Sequence, residues 1–132
     1  MRKSKDLKHI KQIAKQLFLH RVWNGKSQSE IAKIIDVSFQ QYQKIERCEN
    51  RMYAEQLIKI CQNQKWDIEI IANADPYMTL NEWHNVSEPK QRSGITVNYQ
   101  KVLNKFDKID LNAYKNYYRI KNQETILPMK GE

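Results

Sequence analysis

Glycine is scarce in this chain, with three residues in 132, so no Gly-rich loop exists to cradle a nucleotide phosphate. Two cysteines, Cys48 and Cys61, are too few and too far apart for a disulfide framework or a CxxC metal site. They read as reduced structural thiols. His9, His20 and His84 have no metal-ligand spacing with each other or with the cysteines. No Ser or Cys stands in a recognisable nucleophile setting, and the carboxylates are scattered. No metal, no cofactor and no enzymatic activity are therefore expected. Long apolar runs are missing too: nothing approaches the roughly 20 residues of a membrane span. The basic N-terminus lacks the apolar core of a signal peptide. A cytoplasmic protein, nucleoid-associated in a bacterial cell or phage-infected host, is the expectation.

Positive charge is abundant. Lys and Arg number 23 against 15 Asp and Glu, and the pI is near 9.5. The excess is spread along the chain: 14 basic and 9 acidic residues in 1–75, 9 and 6 in 76–132. Such a surface favours polyanions, most often nucleic acid. The length suits one small domain with an appendage and a modest core.

The informative stretch is Ser27 to Asn50. Ser27 with Glu30, and Ser38 with Gln41, form two capping boxes, each opening a short helix. The first helix has an apolar side in Ile31, Ala32, Ile34 and Ile35, and Asp36-Val37 makes the turn. In the second, Tyr42 and Ile45 point inward. Phe39, Gln40, Gln41, Gln43 and Lys44 are left outward, and no acid occurs before Glu46. A solvated helix usually mixes acids with bases. Gln can bond the adenine edge bidentately, Lys can donate to guanine, and an apolar side chain can meet a thymine methyl.

These residues resemble the Cro/C1-type (XRE-family) helix-turn-helix: Ser27-Gln28-Ser29-Glu30-Ile31-Ala32, Val37-Ser38, and Ile45-Glu46-Arg47. The run Ser38-Phe39-Gln40-Gln41-Tyr42-Gln43-Lys44-Ile45-Glu46 is similar to a bacterial regulator subgroup with an SFQQ-x-QK-x-E helix. The resemblance covers about residues 7–73. It departs from the family at Asp36 and Cys48, where glycines are usual, and at Tyr42, where a smaller β-branched residue is common. It implies an all-α fold, a five-helix Cro/C1 repressor-like bundle. It also implies a partly buried pair between Arg21 and Glu46, a phosphate contact and brace from Gln28, and an apolar plug at Trp66.

Along the rest of the chain, Met1 to Lys5 reads as a basic arm. Helix 1 spans Asp6 to about Val22, with one stripe of Leu7, Ile10, Ile13, Ala14 and Leu17; Lys5, Lys8, Lys11 and Lys15 lie largely off it, as a solvated or phosphate-attracting face. Helix 4 runs from Tyr53 to about Asn63 with Leu57, Ile58, Ile60 and Cys61 inward. Asp67 caps helix 5, carrying Ile68, Ile70 and Ile71. Residues 1–75 form the expected DNA-binding domain, able to fold alone. Residues 76–98, broken by Pro76, Pro89 and Gly94, read as a linker with a short helix around Leu80 to Trp83. Residues 99–132 form a helical extension: one helix from Val97 to about Asp107, then a second capped by Asp110 from Leu111 to about Lys121. Leu111, Tyr114, Tyr117, Tyr118 and Ile120 make the second tyrosine-rich, which leaves open dimer contact, packing on the bundle or partial disorder.

The expected function is a sequence-specific, double-stranded DNA-binding transcriptional regulator, by family analogy a repressor acting as a homodimer on a palindromic operator. Phe39, Gln40, Gln41, Gln43 and Lys44 are the candidate base readers. Gln28, Ser38, Arg47, Asn50 and Arg51 are the candidate phosphate contacts. The alternative is an antitoxin-like or other protein-interaction module that engages a protein partner through the C-terminal extension.

Overall fold

The computed structural model describes the backbone of residues 2–130 and the side chains of residues 7–119. Among these, seven helices and no strand occur: α1 (Arg2–Trp23), α2 (Gln28–Ile34), α3 (Phe39–Glu46), α4 (Ala54–Gln64), α5 (Ile68–Asn73), α6 (Pro76–Val86) and α7 (Tyr99–Lys130). The chain is all-α, and no described helix is long and apolar enough to cross a membrane.

α1 is the axis. Its backbone is already helical at Arg2, within the expected arm. From Ala14 to Arg21 every residue is buried, because helices cover both of its sides. On one side Leu17 joins Ile31 of α2 and Ile35 at its C-cap, Tyr42 and Ile45 of α3, Leu57 and Ile60 of α4, and Ile71 of α5. Two residues expected inside this layer are not: Ile58 and Ile68 are exposed. Trp66 is partly buried against the layer, with its ring on His20.

On the other side Ala14, Phe18 and Trp23 meet Leu80 of α6 and Val102, Phe106, Ile109 and Ala113 of α7. The single stripe expected on α1 is thus divided: Ile13 and Leu17 serve the first core, Leu7, Ile10 and Ala14 the second. Lys15 is likewise not on a solvated face. It is buried, with Nζ 2.7 Å from Asp110 Oδ1, and Lys11 lies 3.1 Å from the same oxygen. Burial opposes the charge of Lys15, but Asp110 and Tyr77 outweigh it and raise its pKa. Burial likewise opposes the charge of Asp110, but hydrogen bonds from Lys15 and Lys11 leave its pKa lowered.

The C-terminal part also departs from expectation. Residues 76–86, expected as linker with a short helical piece, form the eleven-residue α6; Asp75 caps it, Pro76 starts it, and Thr79 and Leu80 are buried. α7 is one continuous helix rather than two. Asn98 caps it through the Lys101 N–H at 3.0 Å. Asp110 lies inside it, because the stripe Val102, Phe106, Ile109 and Ala113 keeps its three- and four-residue steps past that position. Of the tyrosine-rich face, Leu111, Tyr114 and Tyr118 are exposed and Tyr117 is half-buried; Ile120 lies outside the described side chains.

Residues 87–98 are tied back to α1. The Lys90 N–H donates to Trp23 O at 2.9 Å, and Trp23 Nε1 donates to Ser87 Oγ at 3.0 Å. Gly25 allows this approach. Its φ is +69°, and a Cβ there would sit 3.1 Å from Lys90 Cβ.

Candidate nucleic-acid interface

Both capping boxes close. Ser27 Oγ accepts from the Glu30 N–H at 3.0 Å, and Ser38 Oγ from the Gln41 N–H at 3.1 Å. Asp36 turns the chain between α2 and α3 with φ +55°, and Cys48 ends the segment after α3 with φ +60°. Both are positions where glycine would avoid the left-handed cost of a Cβ. At Cys48 the side chain has a use, because it is buried in the second core; separately, the Cys48 backbone carbonyl accepts from Asn116 Nδ2 of α7 at 2.8 Å.

α3 is held from below by a buried polar cluster. Arg21 Nε and Nη2 donate to the two Glu46 carboxylate oxygens at 2.7 and 2.9 Å. Arg21 Nη1 donates to Lys26 O at 3.0 Å, and Gln28 Nε2 donates to Glu46 Oε1 at 3.0 Å. A two-pronged buried pair, tied further to Lys26 O and Gln28, resists rotation about the helix axis. Tyr42 is completely buried beside the pair, and its hydroxyl makes no well-aligned hydrogen bond. Burial first, then Glu46, pushes its pKa well above the tyrosine range.

The outward face carries the expected readers. Phe39, Gln40, Gln41 and Lys44 are exposed and Gln43 is half-buried. Gln41 is partly committed, because its Oε1 accepts from the Ser38 N–H at 2.9 Å; its amide NH2 remains a donor. Of the phosphate candidates, Ser38 is exposed but occupied as a cap, and Gln28 is half-buried on Glu46. Arg47 Nη2 lies 3.0 Å from Glu49 Oε1, a partly exposed pair that solvent screens. Asn50 and Arg51 are exposed in the loop after α3.

Sequence reading did not connect the C-terminal part with α3. A cleft of about 610 Å³ lies between them, with Gln28, Phe39 and Gln43 on one wall and Arg92, Lys101 and Lys105 on the other. Only the even spread of basic charge hinted at this.

The cysteines offer no chemistry. Burial pushes the Cys48 thiol up to about 12 and Cys61 up to about 11, so neither is a thiolate near neutral pH. Burial also lowers the His20 pKa to about 4. Its ring sits between Trp66 and Trp83, with Nδ1 2.7 Å from Gln16 O. Comparison of the chain with family models, with curated proteins and with solved structures found no match.

Proposed function

We propose that the chain is a sequence-specific, double-stranded DNA-binding transcriptional regulator whose first five helices serve as a Cro/C1-type helix-turn-helix bundle. The observation that carries this reading is the outer face of α3. It holds exposed Phe39, Gln40, Gln41 and Lys44, has no acid, and is braced by buried Arg21 and Glu46. In this reading α3 enters the major groove. Gln40 and Lys44 reach base edges, Phe39 meets a thymine methyl, and Gln41 and Gln43 stand alongside. Gln28, Ser38, Arg47, Asn50 and Arg51 hold backbone phosphates and fix the register. For Arg47 this means exchanging Glu49 for a phosphate, an inexpensive trade at a partly exposed site. One reading head gives limited affinity, so a homodimer on a two-fold operator with half-sites about 34 Å apart completes the proposal. Repression rests on family analogy. Binding to a randomised duplex pool at near-physiological salt tests it. Recovery of a short palindrome supports the reading; binding without any enriched sequence contradicts it.

A further inference from the structure

The cleft beside α3 has an unbalanced charge. Arg21, Lys26, Arg47, Arg92, Lys101 and Lys105 line it, against one carboxylate, Glu46. Glu46 is already taken by Arg21 and Gln28, and Arg47 is paired with Glu49. Lys26, Arg92, Lys101 and Lys105 make no ion pair among the described residues. The Lys101 ammonium donates to Thr96 O at 3.0 Å and keeps two further donors. Lys105 is half-buried, with its ammonium 6.0 Å over the Phe18 ring. Burial holds its pKa below the usual lysine range; Glu46 opposes this, and Lys108, Arg21 and Arg47 add to it. Cations that outnumber the one, already paired, carboxylate of a cleft repel each other, and an anion seated there reduces that repulsion.

The cleft is continuous with the proposed DNA surface, because Gln28, Phe39 and Gln43 form its other wall. One strand of a duplex carries a phosphate for about every 3.4 Å of helix axis, so a strand that touches Gln28 presents further phosphates beside it. We infer that the cleft between the start of α2 and the head of α7 is a second DNA-backbone site, in which Arg92, Lys101 and Lys105 take phosphates adjacent to the one at Gln28. This rests on the DNA-binding reading and adds to it a role for the C-terminal half in affinity rather than in base choice.

The test is the salt dependence of duplex binding by the full chain. Each phosphate contact contributes a slope of about 0.9 in log K against log salt. The combined variant Arg92→Gln, Lys101→Gln, Lys105→Gln is expected to lose about 2–3 units of slope, alike on all sequences and with the preferred sequence unchanged. Lys59→Gln, exposed on α4 outside the cleft, is expected to lose none. Should the triple variant lose helicity, Lys101→Gln alone at an exposed position is expected to lower the slope by about 0.9. An unchanged slope in variants of a chain that still selects an operator overturns the backbone site and leaves the α3 reading standing. A wild type that does not bind DNA overturns both. Titration with inorganic pyrophosphate separates the sources of phosphate: saturable binding lost in the triple variant, with the DNA slope intact, would assign the cleft to a small ligand and overturn the inference.

Discussion

The two cores that meet on α1 differ in texture. The one shared with α2 to α5 is mostly aliphatic, built from Leu17, Ile31, Ile35, Ile60 and Ile71. The one shared with α6 and α7 holds Phe18, Trp23 and Phe106, with buried Lys15, Gln16 and His20 along the seam. Gln16 Nε2 donates to Ala74 O at 2.8 Å and to Thr79 Oγ1 at 3.0 Å, bridging the two halves. Aliphatic periodicity advertises the first layer. The second hides behind polar residues that reveal their partners only when folded. A helix buried on both sides therefore under-reports its burial when scanned for a single stripe.

The sharpest way to break the comparison is to remove one layer. Truncation after Asp75 strips α6 and α7 and exposes Ala14, Phe18 and Trp23. From sequence, residues 1–75 read as a bundle able to stand alone. With α1 shared, the truncated chain is expected to lose cooperative thermal unfolding or to aggregate. A sharp transition at an unchanged temperature would show the two cores to be independent.

Next in size is the brace. Arg21→Ala leaves the Glu46 carboxylate buried without its cation and is expected to cost about 3–5 kcal/mol in urea unfolding. A loss below about 1 kcal/mol would mean that the pair is dispensable for holding α3.

The seam gives a pH-dependent effect. An unfolded histidine takes up its proton near 6.5, whereas folded His20 resists protonation down to about 4. Its contribution is therefore complete above about pH 6.5 and is lost as pH falls toward about 4. Between pH 7.5 and 5 this amounts to about 2 kcal/mol. His20→Phe, which keeps the ring contacts with Trp66 and Trp83, is expected to reduce the pH dependence of unfolding by that amount. An unaltered profile would remove His20 as its source.

The smallest effect separates two of the left-handed residues, Asp36 and Cys48. Asp36 is exposed, so Asp36→Gly is expected to stabilise by about 0.5–1 kcal/mol. Cys48→Gly relieves the same backbone cost but removes a side chain buried in the second core, so its net effect is expected within about 1 kcal/mol of zero. Equal gains at both sites would mean that the Cys48 side chain contributes nothing to packing.

Much of the α2–α3 segment was legible because its signals are local. Ser27 and Ser38 cap three residues away, and Tyr42 and Ile45 define an inner side whose complement is the outer face. The pairing of Arg21 with Glu46 came from resemblance rather than spacing, since 25 residues separate them. The C-terminal half was illegible for the opposite reason. Asp110 looks like a cap until Lys11 and Lys15 are placed against it, about a hundred residues earlier in the chain. Separation along the chain also hid the cleft, whose walls come from α2–α3 and from residues 92–105.

The central claim is that the outer face of α3 reads base edges, and Gln40 tests it most directly. Wild type and Gln40→Ala, selected in parallel on the same randomised duplex pool, are expected to yield the same operator except at one position of each half-site. There the variant relaxes its preference, with a cost of about 1–3 kcal/mol on the wild-type sequence. Identical motifs, or an equal loss of affinity on every sequence, would contradict the claim that α3 is the reading helix.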